Sequence, residues 1–285
     1  MSRFLFSSFG SLGDLHPYIA VATALVERGH QAVIGADEDY RPFVEEAGVG
    51  FCPVRPRIAE TGDPRALLER ALHVRRGPEY LIRQLVMPNV RLAYQDLLVA
   101  AEGADLLVSH PLSYAIPLVA EKRGLPWVGT VLSPMSLMSS YDPPLLAAAP
   151  WLRKVRRLGP RPYALLFGLL KRSVRHWEAP LRRLRKEVGV PAPKGMAIFE
   201  GQFSPYGNLA LFDPQLAAPQ PDWPVNLRIC GAPVYDGPAG RLPRTLEEFL
   251  DAGEPPIIFA LGSSAVWRAG DFWDKATAAV RRIGK

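Results

Sequence analysis

Short apolar segments alternate with amphipathic stretches through the first 132 residues of the chain. Each apolar segment is closed by Gly, Pro or a polar residue, which is typical of a buried strand. Each amphipathic stretch repeats its apolar residues at helical spacing. The predicted strands are Phe4–Phe6, Gln31–Ala36, Val49–Val54, Asp105–Ser109 and Trp127–Leu132. Strands that alternate with helices in this way predict an α/β fold with a parallel, Rossmann-like sheet.

The first predicted helix follows a glycine-containing turn. Pro17 suits the first turn of a helix, where its missing N–H costs no hydrogen bond. Apolar residues then recur at helical spacing, and Gly29 is a candidate C-cap. Further helices are predicted at Tyr40–Ala47, at Glu79–Ala101 with a kink at Pro88, and at Ser113–Lys122.

The second half of the chain contains fewer regular patterns. Ala197–Phe199 and Asn208–Phe212 are strand-like, and a run rich in Gly and Pro follows residue 230, which is typical of a linker. Ile257–Leu261 is then predicted as a strand, followed by a Gly-Ser loop and a helix over Asp271–Ile283. We therefore divide the chain into a domain at 1–230, a linker at 231–254 and the beginning of a second domain at 255–285.

Composition narrows the class of protein. Hydrophobic residues make up 48% and charged residues 22% of the 285 positions, as in globular proteins with a sizeable core. Cys52 and Cys230 show no metal-ligand spacing, which favours a reducing compartment. The early apolar run is too short for a signal peptide, and no run approaches the roughly 20 residues of a membrane-spanning helix. We expect a cytoplasmic protein, with peripheral contact to the inner face of the membrane as an alternative.

The segment 151–187 concentrates the positive charge of the chain. It holds twelve Lys or Arg and two Glu, interleaved with Trp, Leu, Tyr and Phe, whereas the whole chain has a net charge of +6. This pattern is typical of an interfacial helix on anionic lipid; a solvated helical face packed on the domain is the alternative interpretation. Nucleic-acid binding is disfavoured because no recognition motif accompanies the charge.

The turn Gly10–Asp14 is the first candidate for chemistry. Gly10 and Gly13 allow the backbone to approach a ligand closely, and the N-terminus of the following helix offers free N–H groups to an anion. Asp14, predicted to lie between the second glycine and the helix, faces whatever occupies the loop. It either caps the helix or acts on a ligand, and chemistry alone leaves both open.

Two motifs resemble those of family 1 glycosyltransferases, most closely the bacterial branch that includes macrolide, glycopeptide, sterol and rhamnolipid glycosyltransferases. The first is Gly10-Ser11-Leu12-Gly13-Asp14-Leu15-His16-Pro17 with a later Arg28-Gly29-His30, and the second is Asp105-Leu106-Leu107-Val108-Ser109-His110 with a later Arg123-Gly124-Leu125-Pro126. Many plant and animal relatives have histidine in the first motif and aspartate in the second. Here Asp14 and His110 exchange these types, and the resemblance implies that the pair deprotonates an acceptor hydroxyl. A structural role for His110 is the alternative.

The resemblance implies a GT-B fold of two Rossmann-like halves. It further implies inverting, metal-independent transfer of a hexose from a UDP- or dTDP-sugar to an apolar acceptor, with no cofactor besides this donor substrate. Predicted contacts to the sugar donor are Ser11, Gly13, Gly262, Ser263 and Ser264. Predicted contacts to the acceptor are His16 and, in the loop after the strand Trp127–Leu132, Ser133, Met135, Met138 and Tyr141. Structural roles are the alternative for His16 and for this loop.

The chain covers about three-fifths of a typical member of this family, and the second half is expected to be incomplete. We therefore expect the 285-residue chain alone to be inactive. The rival hypothesis is a non-catalytic subunit that binds the acceptor or docks on a membrane, and that needs a separate donor-binding partner chain.

Overall fold

A computed structural model of the chain describes residues 1–146, 149–237 and 242–284. Seven parallel strands form one sheet in the order β3-β2-β1-β4-β5-β6-β7. The strands are β1 Arg3–Ser7, β2 Gln31–Ala36, β3 Gly50–Pro53, β4 Leu106–Ser109, β5 Trp127–Val131, β6 Asn208–Ala210 and β7 Leu227–Ile229. This confirms the predicted α/β class and all five strands predicted in the first 132 residues.

Helices connect the strands, and further helices follow the last strand within the described residues. They are α1 Leu12–Glu27, α2 Arg41–Glu46, α3 Pro64–Ala71, α4 Gly77–Glu79, α5 Met87–Ala100, α6 Ala115–Arg123, α7 Leu152–Val155, α8 Pro160–Ser173, α9 Ala179–Glu187, α10 Arg244–Asp251 and α11 Phe272–Arg282. Among the described residues, no helix is both long enough and apolar enough to cross a membrane.

The core lies on both faces of the sheet because neighbouring strand residues point to opposite sides. Leu5 and Leu107 pack with α5, α6 and α9 on one face. Phe6, Ile34 and Val108 pack with α1 on the other. Alternation along β1 and β4 therefore holds α1 against the centre of the sheet, where its first turn carries the candidate chemistry.

Pro17 does not lie in the helical turn predicted for it, and the helix around Pro88 is irregular. Helix α1 begins at Leu12, so Pro17 is inside the helix and not in its first turn, and Asp14 is part of that first turn. Proline has no N–H, so the hydrogen bond to the Gly13 carbonyl is missing; Gly13 lies at the exposed start of the helix. Before Pro88, where a kink was predicted, a π-helical segment at Tyr80–Val86 runs into α5.

Between residues 149 and 230, one predicted strand is not formed and one observed strand was not predicted. Ala197–Phe199 forms a turn, because the Ala197 N–H donates to the Glu178 carboxylate at 2.7 Å, and the Phe199 N–H donates to the Met196 carbonyl. Conversely, β7 was not predicted, since its three residues are too short a run to show a period.

Some elements predicted within residues 231–285 differ from the structure. The linker at 231–254 contains the helix α10, and its residues 238–241 lie outside the described residues, as does Lys285. Ile257–Leu261 is not a strand, because no described neighbour pairs with its backbone. The helix predicted at Asp271–Ile283 is confirmed as α11.

Candidate active site

The central strands β1 and β4 bring the two sequence motifs to one edge of the sheet. Ser7 and Ser109, the last residues of these strands, lie side by side in the parallel register. The loop after β1 therefore meets His110, the residue directly after β4. Strand β1 lies between β2 and β4, so this edge is the point where the strand order reverses and where such sheets bind ligands.

Asp14 is held by donors on both of its carboxylate oxygens. Its Oδ2 accepts hydrogen bonds from the backbone N–H of Ser11 at 2.7 Å and from the Ser11 hydroxyl at 3.1 Å. Its Oδ1 lies 3.3 Å from Nε2 of His110. The carboxylate thus stabilises the start of α1 and also pairs with His110, so both functions proposed for it from sequence are structurally possible together.

His110 supports Asp14 from the buried side. The Leu112 N–H donates to Nδ1 of His110 at 3.1 Å, so a neutral ring carries its proton on Nε2 and donates it to Asp14. The His110 side chain is 4% exposed and the Asp14 side chain 35% exposed. Asp14 is therefore the member of the pair that can contact a substrate.

Interactions with His110 and Ser11 determine the charge of Asp14. Burial alone would raise the pKa of the Asp14 carboxyl, but its hydrogen bond to His110, its electrostatic attraction to that ring and the two Ser11 donors outweigh burial. The pKa of Asp14 is therefore lowered from its ordinary value of 3.8. The group is a charged carboxylate at neutral pH, ready to accept a proton.

Gly10 leaves the space that Asp14 occupies. A Cβ at Gly10 would lie 2.2 Å from Oδ2 of Asp14, and the φ angle of Gly10 is +135°, which disfavours any side chain there. The Tyr40 hydroxyl donates to the Gly10 carbonyl at 2.8 Å and fixes the loop from its other side. Burial, together with Asp37 and the other nearby carboxylates, raises the pKa of Tyr40 to about 12, so its hydroxyl stays a donor.

A cavity of about 650 Å³ opens beside Asp14, within the size range of small-molecule sites. Its polar lining is Ser11, Asp14, Asp37, Asp39, Tyr40, Ser263 and Ser264. Its apolar lining includes Phe9, Leu12, Ile58, Leu67, Leu68, Leu72, Leu81, Leu85, Leu112 and Trp267. Arg268, next to Trp267, donates to the Leu72 carbonyl at 3.3 Å at the end of α3. The site is a largely apolar pocket whose polar side carries the carboxylates of Asp14, Asp37 and Asp39.

The structure brings some predicted donor contacts to this cavity. Ser11, Ser263 and Ser264 line it together with Asp14, although the Ser11 N–H and hydroxyl are engaged with the Asp14 carboxylate. Gly13 lies exposed in the first turn of α1 and Gly262 accepts from the Val266 N–H; neither lines the cavity.

The predicted acceptor contacts lie elsewhere. The ring of His16 stands 5.5 Å from that of Tyr235, in a separate cleft of about 350 Å³. The loop after β5 is tied to Asp222, which accepts from the Ser139 hydroxyl and the Ser140 N–H, each at 2.6 Å. Ser133, Met135, Met138 and Tyr141 belong to this loop and do not line the cavity beside Asp14. Their role in acceptor binding remains a prediction without support from this cavity.

The apolar wall supplied by α3 was missed in the sequence. Residues 62–77 look polar and mixed, yet Leu67 and Leu68 recur as Ala71 and Leu72 one turn later, which marks one apolar helix face. Asp63 caps this helix by accepting from the Arg65 N–H at 3.0 Å. A capping residue followed by paired apolar positions was the signal that could have revealed the helix.

The described residues offer no group of three or more His, Cys, Asp or Glu side chains that could hold a metal ion. Four hydroxyl side chains line the cavity in the described structure: those of Ser11 and Tyr40 are engaged with Asp14 and Gly10, and those of Ser263 and Ser264 lie on the second loop. Such groups suit phosphate oxygens.

Comparison with known proteins agrees with the motifs and the fold. Residues 4–132 match the Glycosyltransferase family 28 N-terminal domain. The chain is 30% identical over 298 residues to the O-mycaminosyltylonolide 6-deoxyallosyltransferase of Streptomyces fradiae, covering 98% of this chain and 66% of that protein. It is 30% identical over 274 residues to the glycosyltransferase GtfE of Amycolatopsis orientalis, covering 92% and 61% respectively. The chain thus spans less than two thirds of the length of these relatives.

The fold is shared with solved glycosyltransferase structures. The calicheamicin glycosyltransferase CalG4 superposes with a TM-score of 0.56 at 16% identity, over 86% of this chain and 56% of the other. This similarity confirms the predicted fold class, in which the seven-stranded parallel sheet is the first half. Residues 4–132 thus match a glycosyltransferase domain family, the chain as a whole is similar in sequence to glycosyltransferases, and its fold is that of the first half of GT-B structures.

Proposed function

We propose that the protein transfers a hexose from a nucleoside diphosphate sugar to a hydroxyl of an apolar acceptor. The observation that carries this proposal is the partly exposed Asp14 carboxylate, held by buried His110, at the wall of an otherwise largely apolar cavity. An acceptor can bury its apolar body against the leucines of α3 and present a hydroxyl to Asp14. The relatives that act on natural products favour a polyketide, sterol or similar acceptor.

In the proposed reaction Asp14 is the general base. Its carboxylate takes the proton of the acceptor hydroxyl while the hydroxyl oxygen attacks the anomeric carbon of the donor sugar. The bond between that carbon and the diphosphate oxygen breaks on the opposite side, so the configuration inverts and the nucleoside diphosphate leaves with the electron pair. His110 Nε2–H stabilises the carboxylate and fixes its orientation, as the third member of a catalytic triad orients its base.

Ser263 and Ser264 are the proposed contacts to the donor diphosphate. Both line the cavity that contains Asp14, so a phosphate bound to them would lie near the acceptor. Hydroxyl and backbone donors there, with the N-terminal dipole of α1, would offset the charge that develops on a leaving UDP or dTDP. We accordingly propose that the reaction needs no metal and no cofactor besides the donor sugar.

The proposal is tested by joining this chain to the donor-binding part of a relative and supplying UDP- or dTDP-hexoses with apolar alcohols. We expect a glycoside whose anomeric configuration, read from the proton coupling constant, is inverted relative to the donor. A product with retained configuration would contradict base catalysis by Asp14. Transfer to water alone, with every acceptor tried, would contradict the assignment of the apolar cavity as an acceptor site.

A second candidate function is docking on an anionic membrane. The observation that favours it is an exposed apolar ridge on and before α8: Trp151, Leu158, Leu165 and Leu169 are 48%, 71%, 69% and 58% exposed. Exposed basic side chains flank this ridge at Arg153, Lys154, Arg156, Arg157, Arg161 and Arg172. Apolar side chains surrounded by Arg match the boundary between acyl chains and anionic headgroups.

The docking candidate predicts that the protein sediments with vesicles of phosphatidylserine and phosphatidylcholine at low salt and is released as salt rises. A double substitution R157E/R161E should weaken this binding by roughly 20-fold or more, since each basic residue near the surface contributes about 1 kcal/mol. The matched control is R281E, at an exposed arginine of α11, which should bind as the unmodified chain does. Equal recovery on neutral and anionic vesicles would identify the segment as a solvated helical face.

A further inference from the structure

Tyr18 lies one helical turn after Asp14 on α1 and contacts the same histidine. Its ring centroid is 6.0 Å from that of His110, at an interplanar angle of 58°. On its other side the ring of Phe6 stands at 6.1 Å, nearly perpendicular. Tyr18 is 0% exposed, so the phenol ring is a fixed wall between the sheet and the His110 imidazole.

The Tyr18 hydroxyl begins a buried chain of hydrogen bonds that ends on the backbone next to His110. The Thr130 hydroxyl donates to the Ser109 carbonyl at 2.8 Å, which uses its only proton. The short contact between the hydroxyls of Tyr18 and Thr130 is therefore donated by Tyr18. Thr130 and Ser109 are each 3% exposed, so water cannot replace these bonds.

These hydrogen bonds connect three secondary-structure elements to the backbone beside His110. Tyr18 is in α1, Thr130 is in β5, and Ser109 is the last residue of β4, directly before His110. The His110 backbone is held in turn by the Ser7 carbonyl, which accepts from its N–H at 3.1 Å. Within the described part of the chain, the imidazole's other polar contact is the Leu112 N–H, which donates to Nδ1.

We propose that Tyr18 and Thr130 are positioning residues that fix the His110 ring so that Nε2 points at Asp14. The proposal rests on the proposed function, because orientation of His110 matters to the reaction only if Asp14 is the base. Burial raises the pKa of Tyr18, which keeps its hydroxyl protonated and makes it a tether and not an acid or base. An apolar pair at these positions could fill the same space. The hydroxyls therefore act mainly through their hydrogen bonds, which orient the backbone beside His110.

The test is a ¹⁵N-histidine NMR spectrum of the 285-residue chain, in which H110Q identifies the signals of His110 among five histidines. We expect a single tautomer in the unmodified chain, with Nε2 protonated and its proton exchanging slowly. Y18F and T130V should each speed this exchange by about 2- to 10-fold, the effect of losing one typical buried hydrogen bond. T130S retains a hydroxyl and should restore the slow exchange.

The matched control is Y163F. Tyr163 is 1% exposed, and its hydroxyl has no hydrogen-bond partner within the described part of the chain. Its loss should leave the His110 signals unchanged. Unchanged His110 signals in both Y18F and T130V, with only a lower melting temperature, would overturn the proposal and leave the two hydroxyls a role in core stability.

The ring spectrum needs no catalytic activity, so it separates this inference from the proposed function. Normal turnover of D14N in an assembly that transfers sugar would reject the proposed function. Altered His110 signals in Y18F would still support the positioning of His110 by Tyr18. In such an assembly Y18F should lower kcat by about 2- to 10-fold at unchanged acceptor KM, as expected from one lost hydrogen bond. A change in KM alone would reject positioning of the base.

Discussion

Replacing Asp14 by asparagine should lower turnover by about 10²- to 10⁴-fold in an assembly that transfers sugar, the usual effect of losing a general base. The amide is nearly isosteric, and its oxygen can still accept a hydrogen bond from the Ser11 N–H or from His110, so the fold should persist. It cannot, however, take a proton from the acceptor. Because interactions with His110 and Ser11 hold the pKa of Asp14 below its ordinary value, the loss should be similar across the neutral pH range.

The matched control for D14N is D39N, which alters another carboxylate of the same cavity that lies exposed at the end of the loop after β2. It should leave kcat nearly unchanged, since Asp39 does not contact His110. H110A should also reduce turnover, because Asp14 loses the donor on Oδ1. Near-normal turnover of D14N, measured with saturating donor and acceptor, would reduce Asp14 to a cap of α1.

The central part of the site could be predicted because it follows from the order of strands. Apolar runs at β1 and β4 implied two parallel strands, and the residues after such strands meet at one edge of a sheet. Asp14 and His110 follow these two runs, so their proximity needed no knowledge of side-chain packing. The sequence motif then indicated which chemistry they share.

The walls of the cavity could not be predicted in the same way. Whether Leu67 and Leu72 face a cavity or the core depends on how α3 is oriented, and Arg268 helps to fix that orientation from 196 residues away along the chain. The loop after β5 was equally eligible as an acceptor wall. A hydrogen bond between Ser139 and Asp222, 83 residues apart, ties it instead to the segment before β7. Long-range polar contacts of this kind leave no periodic signal in a sequence.

The 285-residue chain by itself should transfer no sugar and should bind nucleotide sugars only weakly. Catalysis requires the anomeric carbon to be held against the acceptor hydroxyl, and such positioning supplies much of the rate. In the described residues after 254, Ser263 and Ser264 reach the cavity, but no sheet forms around them. Two hydroxyls can contact a diphosphate, whereas a base and a ribose need further walls.

Exposed apolar surface in the same segment is where we expect a donor-binding part to pack. Ile258 is 82% exposed and Trp273 44% exposed, and a cleft of about 670 Å³ runs between Phe249, Phe259 and α11. Surface of this kind favours contact with further protein. Covering it with the donor-binding part of a relative, fused or added as a separate chain, should restore donor binding.

Calorimetric titration of the purified chain with uridine and thymidine diphosphate sugars checks this prediction, alongside a product assay with apolar alcohols. The control is the same titration with the fused chain. I258D should abolish the gain in donor binding because it places a charge in the covered surface. V225D, at a fully exposed position before β7, should leave that gain unchanged. Micromolar donor binding or measurable transfer by the 285-residue chain alone would show that the Ser263–Ser264 loop and α11 suffice. Because the acceptor cavity and the Asp14–His110 pair are already formed in the described residues, such a result would place the whole reaction at this one edge of the sheet.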